Sequence, residues 1–252
     1  SAASDVYKRQ LQYNIMSKVF AIYPLDKSSS TSFLNRIHTF ETRILGDAWH
    51  CYKVHFSDDD HERCIQQSME SHFIFFMGHG GDTQLHGACA KYGEMTIDFT
   101  AAQENKDFYD KEVFIDANNI NVFREKVFFC FSCNSNKNNS KSLARLSKTY
   151  GIEAFVGFGN IPTDYIEGVP FSKRCIAIYK GKIVKIMKYA LYYAVENNEN
   201  VDNLVRIIKI LTCKEIQSLR QQKRFHGRDA VIEQLYKFKD EIKIYGDVYA
   251  KL

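Results

Sequence analysis

Apolar positions in this chain fall into two kinds of run. The first kind is short and continuous. Lys18–Tyr23 (KVFAIY), Trp49–Phe56, Phe73–Met77 (FIFFM), Val127–Phe131 (VFFCF) and Glu153–Phe158 are rich in aromatic and β-branched residues. Small or polar residues bound them, which reads as buried strand rather than helix. The second kind repeats at helical spacing. Phe33, Ile37, Phe40 and Ile44 recur at steps of four, three and four, predicting a helix over Phe33–Leu45 that Ser30, Thr31 or Ser32 can cap. Ser57 and the acids Asp58, Asp59 and Asp60 suit the positive end of a helix over His61–Glu70.

The later half is predicted to be mostly helical. A helix runs from Ser140 or Lys141 to Tyr150 and is closed by Gly151. Another follows Pro170 to about Tyr179, with Gly181 breaking it before a further helix over Ile183–Val195. Leu204, Ile207, Ile208 and Leu211 give one more apolar face, and Asp229–Asp240 gives a basic helix. Ile242–Tyr245 reads as a last short strand. The opening order, β-α-β-α-β, is that of a mostly parallel central sheet with helices on both faces, an α/β fold.

Residues 82–124 are less regular. Turn chemistry at Tyr92-Gly93 and Asn118-Asn119 flanks a charged loop, Gln103–Lys111. Thr96–Phe99 and Glu112–Ile115 are expected as minor strands of a hairpin off the main sheet, and the whole excursion suits a substrate-facing loop. No repeat, low-complexity segment or linker divides the chain, so residues 17–252 are expected to form one domain. Residues 1–16 are expected to lie outside the fold as a tail, its first ten residues foreign to the domain.

Composition changes this picture little. With 45% hydrophobic residues among 252, the chain can bury a sizeable core. No apolar run nears the roughly 18 residues that span a bilayer, and the start lacks the apolar segment of a secretory signal. Seven cysteines, an odd number scattered along the chain, point to reduced thiols and a cytoplasmic protein. The net charge of +4 is uneven: residues 170–252 carry 17 basic and 9 acidic residues, about +8. Such an excess attracts acidic partners or nucleic acid. Amphipathic helices with lysine-rich solvent faces account for it more simply, and no nucleic-acid motif accompanies it.

Two strand ends carry the chemistry. Phe73–Met77 ends in Gly78-His79-Gly80-Gly81, and Val127–Phe131 ends in Ser132-Cys133-Asn134-Ser135. Reactive groups collect beyond the carboxyl ends of parallel strands. A thiol at one such end and an imidazole at another predict a Cys–His hydrolase with Cys133 as nucleophile and His79 as base. The backbone N–H groups of Gly80 and Cys133 are the candidate oxyanion donors. Cys130 lies mid-strand, and strand alternation sends it to the face opposite Cys133, so it reads as core. A redox pair at Cys130 and Cys133 would usually open a helix. The cluster His50, Cys51, His55, His61 and Cys64 is split by alternation, so no metal site is expected. No phosphate loop, dinucleotide fingerprint or serine-hydrolase elbow is present.

An apolar strand ending in HG, followed by one ending in small residue–Cys–polar–Ser, resembles the caspase-like cysteine peptidases of clan CD. FFMGHGG (75–81) and CFSCNS (130–135) are most similar to the histidine and cysteine motifs of the CHAT branch. Phe171–Ala194 resembles the helix pair that follows the fifth strand there, and Ile244-Tyr245-Gly246-Asp247 the closing strand, so the likeness covers about residues 17–249. It implies a caspase-like three-layer sandwich and a protein or peptide substrate. It also implies a thioester intermediate, no cofactor, and a regulatory protein partner in a regulatory or defence role. Basic-specific relatives carry an acid two residues before the cysteine; this chain has Phe131. Asp26, Asp164 and Glu167 are the remaining acids that could line the pocket. The alternative is a catalytically silent caspase-like scaffold; a thiol oxidoreductase using Cys130 and Cys133 is a third reading.

Overall fold

The structure is a computed structural model that describes residues 18–25, 30–55, 57–88, 91–92, 95–96, 113–222 and 225–252. In chain order the elements are β1 (Val19–Pro24), α1 (Asn35–Leu45), β2 (Trp49–Val54), α2 (Asp58–Ser68) and β3 (Phe73–Met77). The small strands β4 (Leu85–His86), β5 (Lys91–Tyr92), β6 (Met95–Thr96) and β7 (Val113–Ile115) follow. Then come β8 (Val127–Phe131), α3 (Leu143–Thr149), β9 (Ala154–Gly157), α4 (Lys173–Glu196), α5 (Val201–Arg220), α6 (Arg228–Asp240) and β10 (Lys243–Gly246).

The central sheet has six strands in the order β10-β9-β8-β3-β1-β2. Every neighbouring pair is parallel except β10 with β9. Both faces are covered over β1, β3, β8 and β9, which is why those strands read as unbroken apolar runs. Phe73, Phe75, Met77, Val127, Phe129 and Phe131 face one layer, built by α1, α4, α5 and α6. Ile74, Phe76, Phe128 and Cys130 face the other, built by α2, α3 and the β4–β7 pair. The result is a three-layer α/β sandwich.

The layers follow from connection handedness. From β1 the chain steps outward to β2, then returns past β1 to β3 and continues the opposite way. Right-handed crossovers put α1 on one face and send α2 and α3, which follow the turn back from β2, to the other, while α4–α6, which lead to antiparallel β10, return to the α1 face. The carboxyl ends of β1 and β3 therefore flank a topological switch point, the place where such sheets hold ligands.

Local chemistry sets the helix starts. Ser57, Ser142, Ser172 and Asn200 each accept a hydrogen bond from the backbone N–H three residues on, capping α2, α3, α4 and α5. Helix α2 thus begins at Asp58 rather than His61, with three acids inside its first turn. The expected first helix opens with a 3-10 turn, Ser32–Leu34, before α1, and Thr31 makes no side-chain cap there.

Two expectations need correction. Gly181 does not divide α4, which runs 24 residues without interruption. Ile176, Tyr179, Ile183, Met187, Ala190 and Ala194 form one buried stripe across it. Burying that stripe outweighs the ~1 kcal/mol that an interior glycine costs a helix. The hairpin expected between Thr96–Phe99 and Glu112–Ile115 is also replaced. Val113–Ile115 pairs antiparallel with Leu85–His86, and Met95–Thr96 with Lys91–Tyr92. The charged loop Gln103–Lys111 lies outside the described residues. Among the described residues, no helix is long and apolar enough to cross a membrane.

Candidate functional site

His79 sits one residue past the ladder of β3. Gly78 extends that ladder, its N–H donating to Phe131 O at 3.3 Å. A β-carbon on Gly78 would press on Pro24 at 3.2 Å, so glycine lets the chain pass close to the end of β1. Beyond it the chain folds back: Gly81 N–H donates to Gln84 O at 2.8 Å and His86 N–H to His79 O at 3.0 Å. These bonds flank the Gly80–Leu85 bridge, which makes it a non-hydrogen-bonded pair. The Gly80 N–H therefore points away from its hairpin partner. A β-carbon there would come 2.7 Å from Leu85 Cδ2 and 3.0 Å from Ser132 Oγ. Glycine at 80 is what lets the histidine loop lie against the cysteine loop.

The cysteine turn is tied down from three directions. Ser135, fully buried, shares its hydroxyl proton between Cys130 O and Ser132 O, each at 3.0 Å, and accepts from Phe158 N–H at 2.9 Å. Asn134, at φ 56°, takes the left-handed conformation that asparagine tolerates, and its N–H donates to Gly159 O at 2.9 Å. From the edge strand, Tyr245 hydrogen-bonds to Asn136 O, while Asn136 Nδ2 donates to Glu241 O at 2.7 Å. This packing requires Gly157: a β-carbon there would fall 2.5 Å from Ser135 O and 2.8 Å from Asn136 Cα, both backbone atoms. Gly157→Ala is expected to push the turn off β9 and cost about 1–3 kcal/mol, as overpacking does, lowering Tm by about 2–4 °C per kcal/mol in a thermal melt. Gly81→Ala, with open space around its β-carbon, is the control.

Both predicted side chains line one small cleft, together with Ser30, Phe33, Phe131 and Ile161. Its volume of about 20 Å³ holds a water molecule rather than a peptide. His79 Nε2 is hydrogen-bonded to Ser30 Oγ at 2.8 Å, across the switch point from the loop after β1. The Cys133 thiol donates to Ile161 O at 3.4 Å instead of to His79. A carbonyl oxygen only accepts, so the sulfur carries its proton in this geometry. Among the described residues, neither the Gly80 nor the Cys133 N–H donates a hydrogen bond, so both amides are available.

Electrostatics keep both groups neutral. Burial, and then the charges of His86 and Lys180, lower the His79 imidazole to about 3. Burial pushes the Cys133 thiol up, and the Asp164 carboxylate adds to the rise. Lys180, whose Nζ lies 5.3 Å over the Phe33 ring, is itself lowered by burial. With the thiol pushed up by burial and the imidazole held near 3, the resting proton stays on the sulfur and its transfer to His79 is uphill.

The chain matches no protein-family model, no curated protein and no solved structure.

The other singled-out residues separate clearly. Cys130 is fully buried on the α2–α3 side, 3.3 Å from Ser132 Oγ, while Cys133 packs toward the opposite layer. Asp26 lies outside the described residues. Asp164 is exposed one residue past Thr163, a cleft residue, and its charge reaches Cys133 and Lys180. Glu167 is exposed and does not line the cleft. Among the described residues no group of histidine, cysteine and acidic side chains is placed to hold a metal. Sequence reasoning missed Ser30, Ile161, Lys180 and Glu241. Glu241 accepts from Asn160 N–H at 3.2 Å and packs on Gly159, bracing the loop that engages the thiol. Ser30 had a visible signal, as a hydroxyl in the loop leaving the first strand; the other three had none.

Proposed function

We propose that this chain is a caspase-like cysteine endopeptidase, closest to the CHAT branch, in which Cys133 attacks a peptide carbonyl and His79 moves the proton. The observation that carries this reading is that the two side chains, from the ends of adjacent parallel strands, line the same cleft. His79 takes the thiol proton, the sulfur bonds to the carbonyl carbon, and the Gly80 and Cys133 amides face the developing oxyanion. The C–N bond breaks as the imidazolium protonates the leaving amine. Water, deprotonated by His79, then cleaves the thioester and returns the thiol. No cofactor enters. Phe131 lies two residues before Cys133, where basic-specific members of that family carry an acid, and among the described residues Asp164 is a carboxylate whose charge reaches the thiol.

The resting geometry favours gating by a regulatory partner. The cleft is too small for a peptide, the thiol is engaged with Ile161 O, and proton transfer is uphill. The same facts favour a second reading, a silent caspase-like scaffold. A thiol-reactive peptide probe separates the two. The peptidase reading expects labelling at Cys133 that His79→Ala slows by about 10²-fold or more, the usual contribution of general-base catalysis. It also expects labelling to quicken as pH rises past the ordinary thiol range, since burial holds Cys133 protonated. Labelling at Cys133 that ignores His79 leaves the scaffold. A Cys130–Cys133 redox pair is disfavoured because the two sulfurs face opposite layers.

A further inference from the structure

The basic excess of residues 170–252 is not used by the thiol and imidazole. Part of it surrounds a groove of about 500 Å³ between α4 and α5, far larger than the cleft at Cys133. Tyr189, Tyr192, Tyr193, Ile207 and Leu211 form its apolar lining, with Lys214 at its rim. Tyr189 and Tyr193 are about half exposed, at 48% and 50%. Large apolar side chains concentrated this way mark an interaction surface, and tyrosine is a residue such surfaces favour. The groove shares no lining residue with the cleft at Cys133. Lys180, whose charge reaches His79, precedes the groove residues Lys185 to Tyr193 on α4 by five to thirteen residues, roughly 8–20 Å along the helix.

Charge narrows the occupant. Glu215, at the base, is 3% exposed and receives Lys182 at 2.7 Å and Lys185 at 2.6 Å. One carboxylate thus meets two ammonium groups, and Lys214 adds a third cation with no ion-pair partner among the described residues. The volume suits one or two bulky side chains rather than a flat surface.

We propose that the groove between α4 and α5 binds an acidic segment of a partner protein, one bulky apolar side chain entering among the tyrosines and its flanking carboxylates meeting Lys185 and Lys214. The site stands apart from the peptidase chemistry. A phage-displayed peptide library panned on the full chain tests it. Enriched sequences are expected to carry Trp, Phe or Leu within three or four positions of at least two acids. A synthetic peptide of that sequence, followed by fluorescence anisotropy, is expected to bind Tyr193→Ala about tenfold or more weakly, as loss of an aromatic anchor does. Lys214→Glu is expected to bind at least about threefold more weakly, with a flatter salt dependence. Both changes lie at exposed helical positions, and Cys133→Ala is expected to bind as the parent does. Several results overturn the proposal: no enrichment, neutral or basic motifs, or parent-like affinity in both groove variants. Self-association dispersed by Tyr193→Ala would assign the groove to a second copy, and competition by a single-stranded oligonucleotide would assign it to nucleic acid.

Discussion

Cys133→Ala is expected to remove at least about 10³-fold of the turnover measured on a fluorogenic peptide library, leaving the protein folded. The nucleophile supplies the covalent path, and the adjacent Ser132 does not replace it, being buried at 1% exposure and turned toward Cys130. Removing the sulfur takes away one weak hydrogen bond to Ile161 O and little packing, so the melting temperature should move by only a few degrees. Cys130→Ala is the informative control. It deletes a fully buried group on the other face, so it should lower stability yet keep turnover. Turnover retained in Cys133→Ala, or lost only in Cys130→Ala, would falsify the assignment. The resting barrier makes a second demand. Basal turnover of the free chain should be slow, and whatever raises it must part the thiol from Ile161 O and bring it to His79. The Asn160 amide bond to Glu241 and the Gly159 contact brace that loop, so Glu241→Gln is expected to change the basal rate without touching either reacting group.

The strands were legible because both faces of the sheet are covered. Phe73–Met77 and Val127–Phe131 are buried at every position, so the apolar run and the strand coincide to the residue. The meeting of the two strand ends was legible for the same reason, since His79 and Cys133 are the first chemically distinctive residues after those runs and both line one cleft. Propensity misled at Gly181, where the buried stripe on both sides carries the helix through. The partners of the two groups were not legible. Ser30 and His79 are 49 residues apart, Cys133 and Ile161 28, and Asn160 and Glu241 81. Those meetings depend on strand order and loop path, which period and spacing do not encode. The pairing of Leu85–His86 with Val113–Ile115 was hidden likewise, because two- and three-residue strands show no alternation.

The largest stability effect is expected at Glu41. This residue lies on α1 with 0% exposure, and among the described residues neither carboxyl oxygen has a hydrogen-bond partner. The nearest cation, on Lys188, lies 4.1 Å over the Phe40 ring rather than on the carboxylate. Burial raises the Glu41 pKa from 4.5 to about 9, with Lys188 opposing. The folded state therefore holds a proton that the unfolded chain releases above about 4.5. Stability is full below that pH and falls as pH rises toward 9, because ionising the chain only when unfolded pulls the equilibrium that way. At about 1.4 kcal/mol per pH unit, the loss by pH 7 is on the order of 3 kcal/mol. Glu41→Gln keeps the shape and removes the titration. Its stability should match the parent near pH 4.5 and exceed it by roughly 3 kcal/mol at pH 7, with the gap still widening at pH 8. Denaturant melts across that range decide the matter. A constant gap, or a less stable Gln variant at pH 8, would mean that the carboxylate is ionised in the folded protein and that Lys188 has left Phe40 to meet it.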